Sequence, residues 1–221
     1  MNDALGLGPA LAFDLHRAGE TPSGDWQLLS ALISERAVRD RVERTRDALT
    51  PHGAERIDAR TAAATVQFGL VARLVAAWVC AQSMGRDLAL NAGTIWWSQP
   101  PGGWLQLSFA TELREDTRNP LQHGAITELT EAIHTLYDVS PHVLWGNVGS
   151  AANSTITLLR ASRPDLVDAA RAAADRLLTD PRVDGGTLRT GPAYRRASCC
   201  LIYRANGAIC GDCVLQNRRR N

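Results

Sequence analysis

Hydrophobic positions along the chain fall into a few clear periodic blocks. The stretch WQLLSALISERAVRDRVERTRDAL places Leu28, Leu29, Leu32 and Ile33 on one stripe before its later turns become heavily charged. That pattern predicts a helix capped by Asp25 and broken by Pro51, His52 and Gly53. A second helix is expected from about Asp58 to Ser83, apolar on nearly every face, as befits a central core element. The chain then changes period. Thr94 to Trp97, the turn SQPPGG and Trp104 to Phe109, with Gln106 and Ser108 interleaved, predict a β-hairpin.

Helical spacing resumes at roughly 121 to 137, carried by Ile126, Leu129, Ile133 and Leu136. Ser140 and Pro141 mark the start of another helix through LWGNVGSAANSTITLLRA, and a third begins at Pro164. The stretch DPRVDGGTLRTGP, residues 180 to 192, reads as a linker or short hairpin. The expected fold class is α+β: a mostly helical body, a central β-hairpin and a small C-terminal cysteine-rich hairpin. The expected division is a body over 1–180, a candidate ligand-binding unit, and a C-terminal segment over 181–221.

Composition narrows the function classes. The 221 residues are 45% hydrophobic and 21% charged, an ordinary balance for a soluble globule. The net charge of +1 supplies no field for nucleic acid or an anionic membrane, so neither partner is expected. Every basic residue is Arg. The opening residues lack a basic leader and an unbroken apolar run, so no secretory signal is read there. Arg73 near the middle of the long apolar stretch argues for a core helix rather than a membrane span. A cytoplasmic location is the expectation, and reduced thiols go with it.

Four of the five cysteines lie in CCLIYRANGAICGDC: Cys199 and Cys200, then Cys210 and Cys213 after nine intervening residues. Cys80, inside the long apolar helix, reads as a small buried hydrophobe. Four thiols in fifteen residues point to metal coordination. Asn206-Gly207 predicts a tight turn that folds the first pair back beside the second. Neighbouring side chains on a strand face opposite ways, so Cys199 and Cys200 share a site only if the backbone bends between them. Spacing alone leaves zinc and an iron–sulfur cluster both open, with a vicinal disulfide as a minor third choice. The five histidines are scattered without ligand spacing, and no Ser-His-Asp, Walker or GxGxxG pattern is present.

The segment YRRASCCLIYRANGAICGDCVL resembles the C-terminal signature of the FhuF-type ferric-siderophore reductases, through Arg195, Arg196, Cys199, Cys200, Tyr203, Arg204, Gly207, Cys210, Gly211 and Cys213. Trp145, Gly146 and Asn147 in LWGNVGSA look like a helical landmark of the same family. The family usually has ten residues between the cysteine pairs where this chain has nine. The resemblance implies a 2Fe–2S cluster on Cys199, Cys200, Cys210 and Cys213, and one-electron reduction of a ferric siderophore, with release of Fe(II) and an electron donor not identified. It sets Arg195, Arg196 and Arg204 beside the cluster, to favour its reduced form, hold an anionic siderophore or dock the donor. Arg218, Arg219 and Arg220 read as a frayed basic end. The rival readings are a zinc-stapled, non-enzymatic binding protein and a 2Fe–2S carrier without its own ferric substrate.

Overall fold

The computed structural model describes residues 5–111, 120–207 and 209–215, the side chain of Asn206 excepted. The Arg218 to Arg220 tail lies outside the described residues. The α+β expectation holds, with helices forming the bulk and one small sheet. Helix α3, Ala59–Ser83, is the axis of the fold, packed against α2 (Glu35–Leu49), α4 (Ala125–Tyr137), α5 (Pro141–Ser162) and α6 (Val167–Leu178). Asp58 caps α3 by accepting from the Thr61 amide at 2.9 Å. Its Ala and Val side chains are buried on almost every face, as the unbroken apolar pattern predicts. By length and composition α3 could cross a membrane, but 78% of its apolar window is covered by the rest of the chain.

Arg73 is the exception within that apolar helix, and its environment explains it. The guanidinium is buried and donates to the carbonyls of Leu105 (2.9 Å), Pro9 (3.3 Å), Ala10 and Ala12 (2.7 Å). One cation thus ties the N-terminal segment and the hairpin to the core helix, satisfying carbonyls that no regular ladder reaches.

The predicted hairpin is present as β3 (Trp96–Ser98) and β4 (Gln106–Thr111), paired antiparallel with Trp97 opposite Leu107. Two further strands complete a sheet of order β1-β4-β3-β2. Strand β1, Asp14–Arg17, runs parallel to β4 in a region whose sequence reads as loose. Strand β2, Gln27–Leu28, lies where a continuous helix capped by Asp25 is expected. That expectation is corrected. The Leu29 and Ser30 amides bond the Ile95 and Ala92 carbonyls, α1 spans only Leu29–Ile33, and extended Ser34 then caps α2. Cross-strand bonding to the Trp96-Trp97 edge outcompetes the helical stripe.

The later helices fall where the periodicity puts them, α6 being preceded by a single 3-10 turn at Pro164–Leu166. The 180–192 stretch is neither a slack linker nor a hairpin. Val183 is fully buried, Asp184–Gly186 form a 3-10 turn, and Arg182 lies 4.2 Å over the Trp145 ring while bonding Asp180 and the Leu121 carbonyl. These contacts fix the path of the chain into the cysteine segment.

Candidate functional site

Helix α5 is the platform for the cysteines. Gly146, Asn147, Gly149 and Ser150 lie on one face, three and four residues apart. The two glycines leave room for close approach. A Cβ on Gly146 would lie 2.2 Å from Ser198 Oγ and 3.0 Å from the Arg196 guanidinium. One on Gly149 would lie 2.5 Å from the Tyr194 hydroxyl. The LWGNVGSA landmark is therefore the socket for residues 194–198.

Arg196 fills that socket. It is 1% exposed and donates to the Val143 carbonyl (3.1 Å), Asn147 Oδ1 (2.9 Å) and Ser198 Oγ (3.3 Å). Asn147 passes the chain of bonds inward, donating to Gln67 Oε1 at 2.9 Å, and Gln67 in turn donates to Thr130 Oγ1 and the Leu144 carbonyl. A buried polar network thus runs from the cysteine segment through α5 and α3 to α4. The CxxC end is anchored separately. The Arg196 amide bonds the Asp212 carbonyl at 3.1 Å, and the Ser150 hydroxyl donates to Asp212 Oδ2.

The chain reversal between the cysteine pairs is present, but its arms are not strands. Tyr203–Asn206 form a single helical turn, α7, and Gly207 ends it in the left-handed region with its amide on the Tyr203 carbonyl. Asn-Gly here is a helix stop rather than a type I′ hairpin turn, because Leu201 enters the left-handed region at φ 67 and redirects the chain before any β-arm can extend. That bend comes immediately after the adjacent cysteines. It aims the Leu201 amide at Cys199 Sγ, 3.4 Å away, and the Ile202 amide at Cys200.

Cys200 and Cys210, one from each pair, lie Sγ to Sγ at 3.4 Å. Cys213 Sγ accepts from the Leu215 amide at 3.4 Å. Cys200 and Cys213 are buried, and Cys199 and Cys210 half-buried. The Cys200 thiol is brought down to about 6, chiefly by the hydrogen bond with Cys210, against desolvation and with help from the Ile202 amide and Arg196. Its partner Cys210 is driven far up, chiefly by the hydrogen bond it shares with Cys200, then by burial and by repulsion from the neighbouring thiolate. Burial raises Cys199. Two such thiols both ionise only with a cation between them.

The donor set suits a two-iron cluster. Four thiols, three amides within reach of sulfur and a buried guanidinium match what a thiolate-held, net-anionic cluster requires. Among the described residues no three His, Cys, Asp or Glu side chains converge on a single ion. Cys200 and Cys210 are the two of the four thiols that the structure brings into contact.

The family model for the FhuF 2Fe-2S C-terminal domain matches residues 196–215. Residues 196–215 carry the FhuF-type 2Fe–2S C-terminal domain. Its cofactor is a 2Fe–2S cluster. No curated protein matches the chain. The match begins at Arg196, the buried arginine, and stops one residue pair beyond Cys213.

The three arginines expected beside the cysteines separate. Arg196 is interior and acts on the thiols through its charge. Arg195 is exposed, its guanidinium on the Tyr194 carbonyl at 2.7 Å. Arg204 is about half exposed and lies 4.0 Å from Asp58 at the α3 cap. Residues that the sequence reading passed over are Tyr194, Ser198, Asp184 and Asp212. The Asp184 carboxylate is buried and accepts from the Ala197 amide at 3.1 Å, with His142 3.9 Å away. Only Asp212 carried a signal, as the acid inside CGDC. Cys80 is core, as expected, and burial pushes it up to about 12. His16 and His134 bond Ser108 and the Val139 carbonyl.

Proposed function

We propose that this protein is a ferric-siderophore reductase, with Cys199, Cys200, Cys210 and Cys213 as the cluster ligands. When bound, the cluster supplies one electron at a time, received from an external one-electron donor and delivered to ferric ion. Fe(III) held by hard oxygen donors gains that electron and becomes Fe(II), which the same donors hold far less tightly. The protein's own part is placement. The Leu201, Ile202 and Leu215 amides orient toward sulfur, and Arg196 offsets the negative charge that reduction adds. Arg195 and Arg204, exposed on the same segment, suit an acidic electron donor. Electron transfer of this kind needs no general acid or nucleophile, which agrees with a site built of thiols, amides and one buried cation. The chain is read as cytoplasmic, without membrane insertion.

The observation that carries this reading is the Cys200–Cys210 contact beside buried Arg196, inside the segment that matches the FhuF-type domain. The test is an optical spectrum with iron and labile-sulfide analysis on anaerobically purified protein. Ferric-siderophore turnover with a chemical reductant then compares wild type with Cys210→Ser. Colour, sulfide and turnover are expected together, and all three vanish in the variant. Stoichiometric zinc without sulfide, or turnover that survives loss of the cluster, overturns it. A coloured protein that reduces no ferric chelate is the carrier instead.

A further inference from the structure

A groove of 490 Å³ opens between α2, the β3–β4 hairpin, α3 and α5, away from the cysteines but on the same supporting helix. Its floor is made of small residues: Gly69, Ala72 and Ala76 on α3 and Ala151 on α5. Gly69 is the informative one. It sits mid-helix, where glycine is destabilising relative to alanine, yet nothing lies within 4 Å of where its Cβ would be. No packing contact requires the glycine. What its missing side chain leaves is open groove.

The groove's charge is one-sided. Elsewhere on α2 the arginines have acid partners: Arg39 with Glu35 at 2.9 Å, Arg46 with Glu43 at 3.2 Å, and Arg36 with Asp40 at 4.0 Å. Arg41 lines the groove and Arg44 its continuation under the hairpin. Among the described residues neither has a carboxylate within ion-pair distance. Arg41 stacks 5.7 Å over the Trp97 ring and gives one N–H to Gln99 Oε1 at 3.2 Å, while its buried Nε has no partner among the described residues. Arg73 adds a third guanidinium, bound only to carbonyls. At the rim Trp104 is 58% exposed.

Unpaired guanidiniums over an apolar floor with an exposed indole suit a ligand that is anionic outside and aromatic in its arms. We propose that this groove docks an anionic ferric chelate with aryl oxygen donors, of the tris-catecholate kind, rather than a neutral hydroxamate chelate. This rests on the reductase reading and names the substrate class for it. The shared helix supplies the link. Ser154 lines the groove, and Ser150, one turn earlier or about 6 Å along the axis, holds Asp212 of the CxxC. A cluster held by Cys199, Cys200, Cys210 and Cys213 would supply the single electron that converts Fe(III) to Fe(II), and would itself be oxidised by one electron.

The test separates docking from turnover. Gallium(III) tris-catecholate, a redox-inert stand-in of the same charge, is titrated by calorimetry into the cluster-loaded protein, with neutral gallium(III) tris-hydroxamate as comparison. Wild type is expected to prefer the anionic complex. Arg41→Gln should weaken it by about tenfold, with partial recovery in Arg41→Lys, which keeps the charge. Gly69→Leu, which fills the floor, should abolish binding with an unchanged visible spectrum. In ferric turnover the Arg41→Gln loss should fall on KM and not kcat. Equal affinity in wild type, Arg41→Gln and Gly69→Leu, or preference for the neutral complex, overturns the proposal. Turnover with unchanged KM in Gly69→Leu removes the groove and leaves the reductase reading standing. Gallium binding without ferric reduction does the reverse.

Discussion

Two buried arginines summarise the difference between the body and the cysteine segment. Arg73 sits in the middle of α3 among side chains that pack as hydrocarbon, and its N–H groups meet carbonyls from two separate stretches of chain. Arg196 sits where regular structure has nearly ended, and its Nε has no partner among the described residues. The first cation completes backbone hydrogen bonding around an apolar core. The second is held by Asn147, Val143 and Ser198 beside thiols whose charge depends on what they bind. The body is stabilised mainly by burial, whereas the cysteine segment relies on polar anchors and on a cofactor.

Replacing each arginine by Met tests that contrast most severely. Arg73→Met strands four carbonyls and should lower the stability of the whole fold by about 3–5 kcal/mol. Urea unfolding followed by far-UV circular dichroism reads this out. Arg196→Met should cost about 1–3 kcal/mol on the same scale, but it should also shift the cluster potential to more negative values and speed cluster loss. An Arg73 variant as stable as wild type, or an Arg196 variant with an unchanged potential, would erase the distinction.

Glycines sharpen it at smaller scale. Gly149 and Gly69 both lie inside long helices, so helix propensity alone predicts the same gain on changing either to Ala. Gly149→Ala instead drives a methyl toward Tyr194 Oη and to 3.0 Å from Val183 Cγ1. It should destabilise by about 1–3 kcal/mol through overpacking and make residues 195–215 more sensitive to protease. Gly69→Ala meets nothing and should stabilise by about 0.5–1 kcal/mol. Thermal melts of the two variants should move in opposite directions. Movement in the same direction would mean that the α5 socket does not hold the segment.

What was readable in advance follows the same division. Helix α3, with its start near Asp58, and the hairpin around SQPPGG are local signals reinforced by burial, so the sequence pattern found them. Strands β1 and β2 are two to four residues long and exist through pairing with distant partners, which no local window contains. The cysteines announced the site by composition. The role of Asn206-Gly207 did not follow, because the same dipeptide stops a helix or turns a hairpin, and Leu201 decides which from several residues away. Arg196 was legible as a neighbour of the cysteines. Its burial was not, since that depends on Gly146, some fifty residues earlier, lacking a side chain.

The smallest effect concerns pH, and it again sets body against segment. Burial raises Cys80 from 9.0 to about 12, and it also raises Tyr194, where Asp184 and Asp212 add to desolvation. In both cases the native state keeps a proton that the unfolded chain gives up. Their contribution is therefore complete below pH 9 and declines as pH rises toward the folded values. For Cys80 the loss amounts to about 1 kcal/mol between pH 9 and pH 10. Cys80→Ala should flatten the alkaline limb of the stability curve by that amount, whatever its effect on stability at neutral pH. Tyr194→Phe should change that interval only about a third as much, because an unfolded tyrosine reaches half-ionisation only at pH 10, and act mainly above it. Urea midpoints measured at half-unit steps from pH 8 to 11 resolve the two. If Cys80→Ala leaves the slope between pH 9 and 10 as it was, the α3 core admits enough water to ionise its thiol, and the claim that the body is held by dry apolar packing fails.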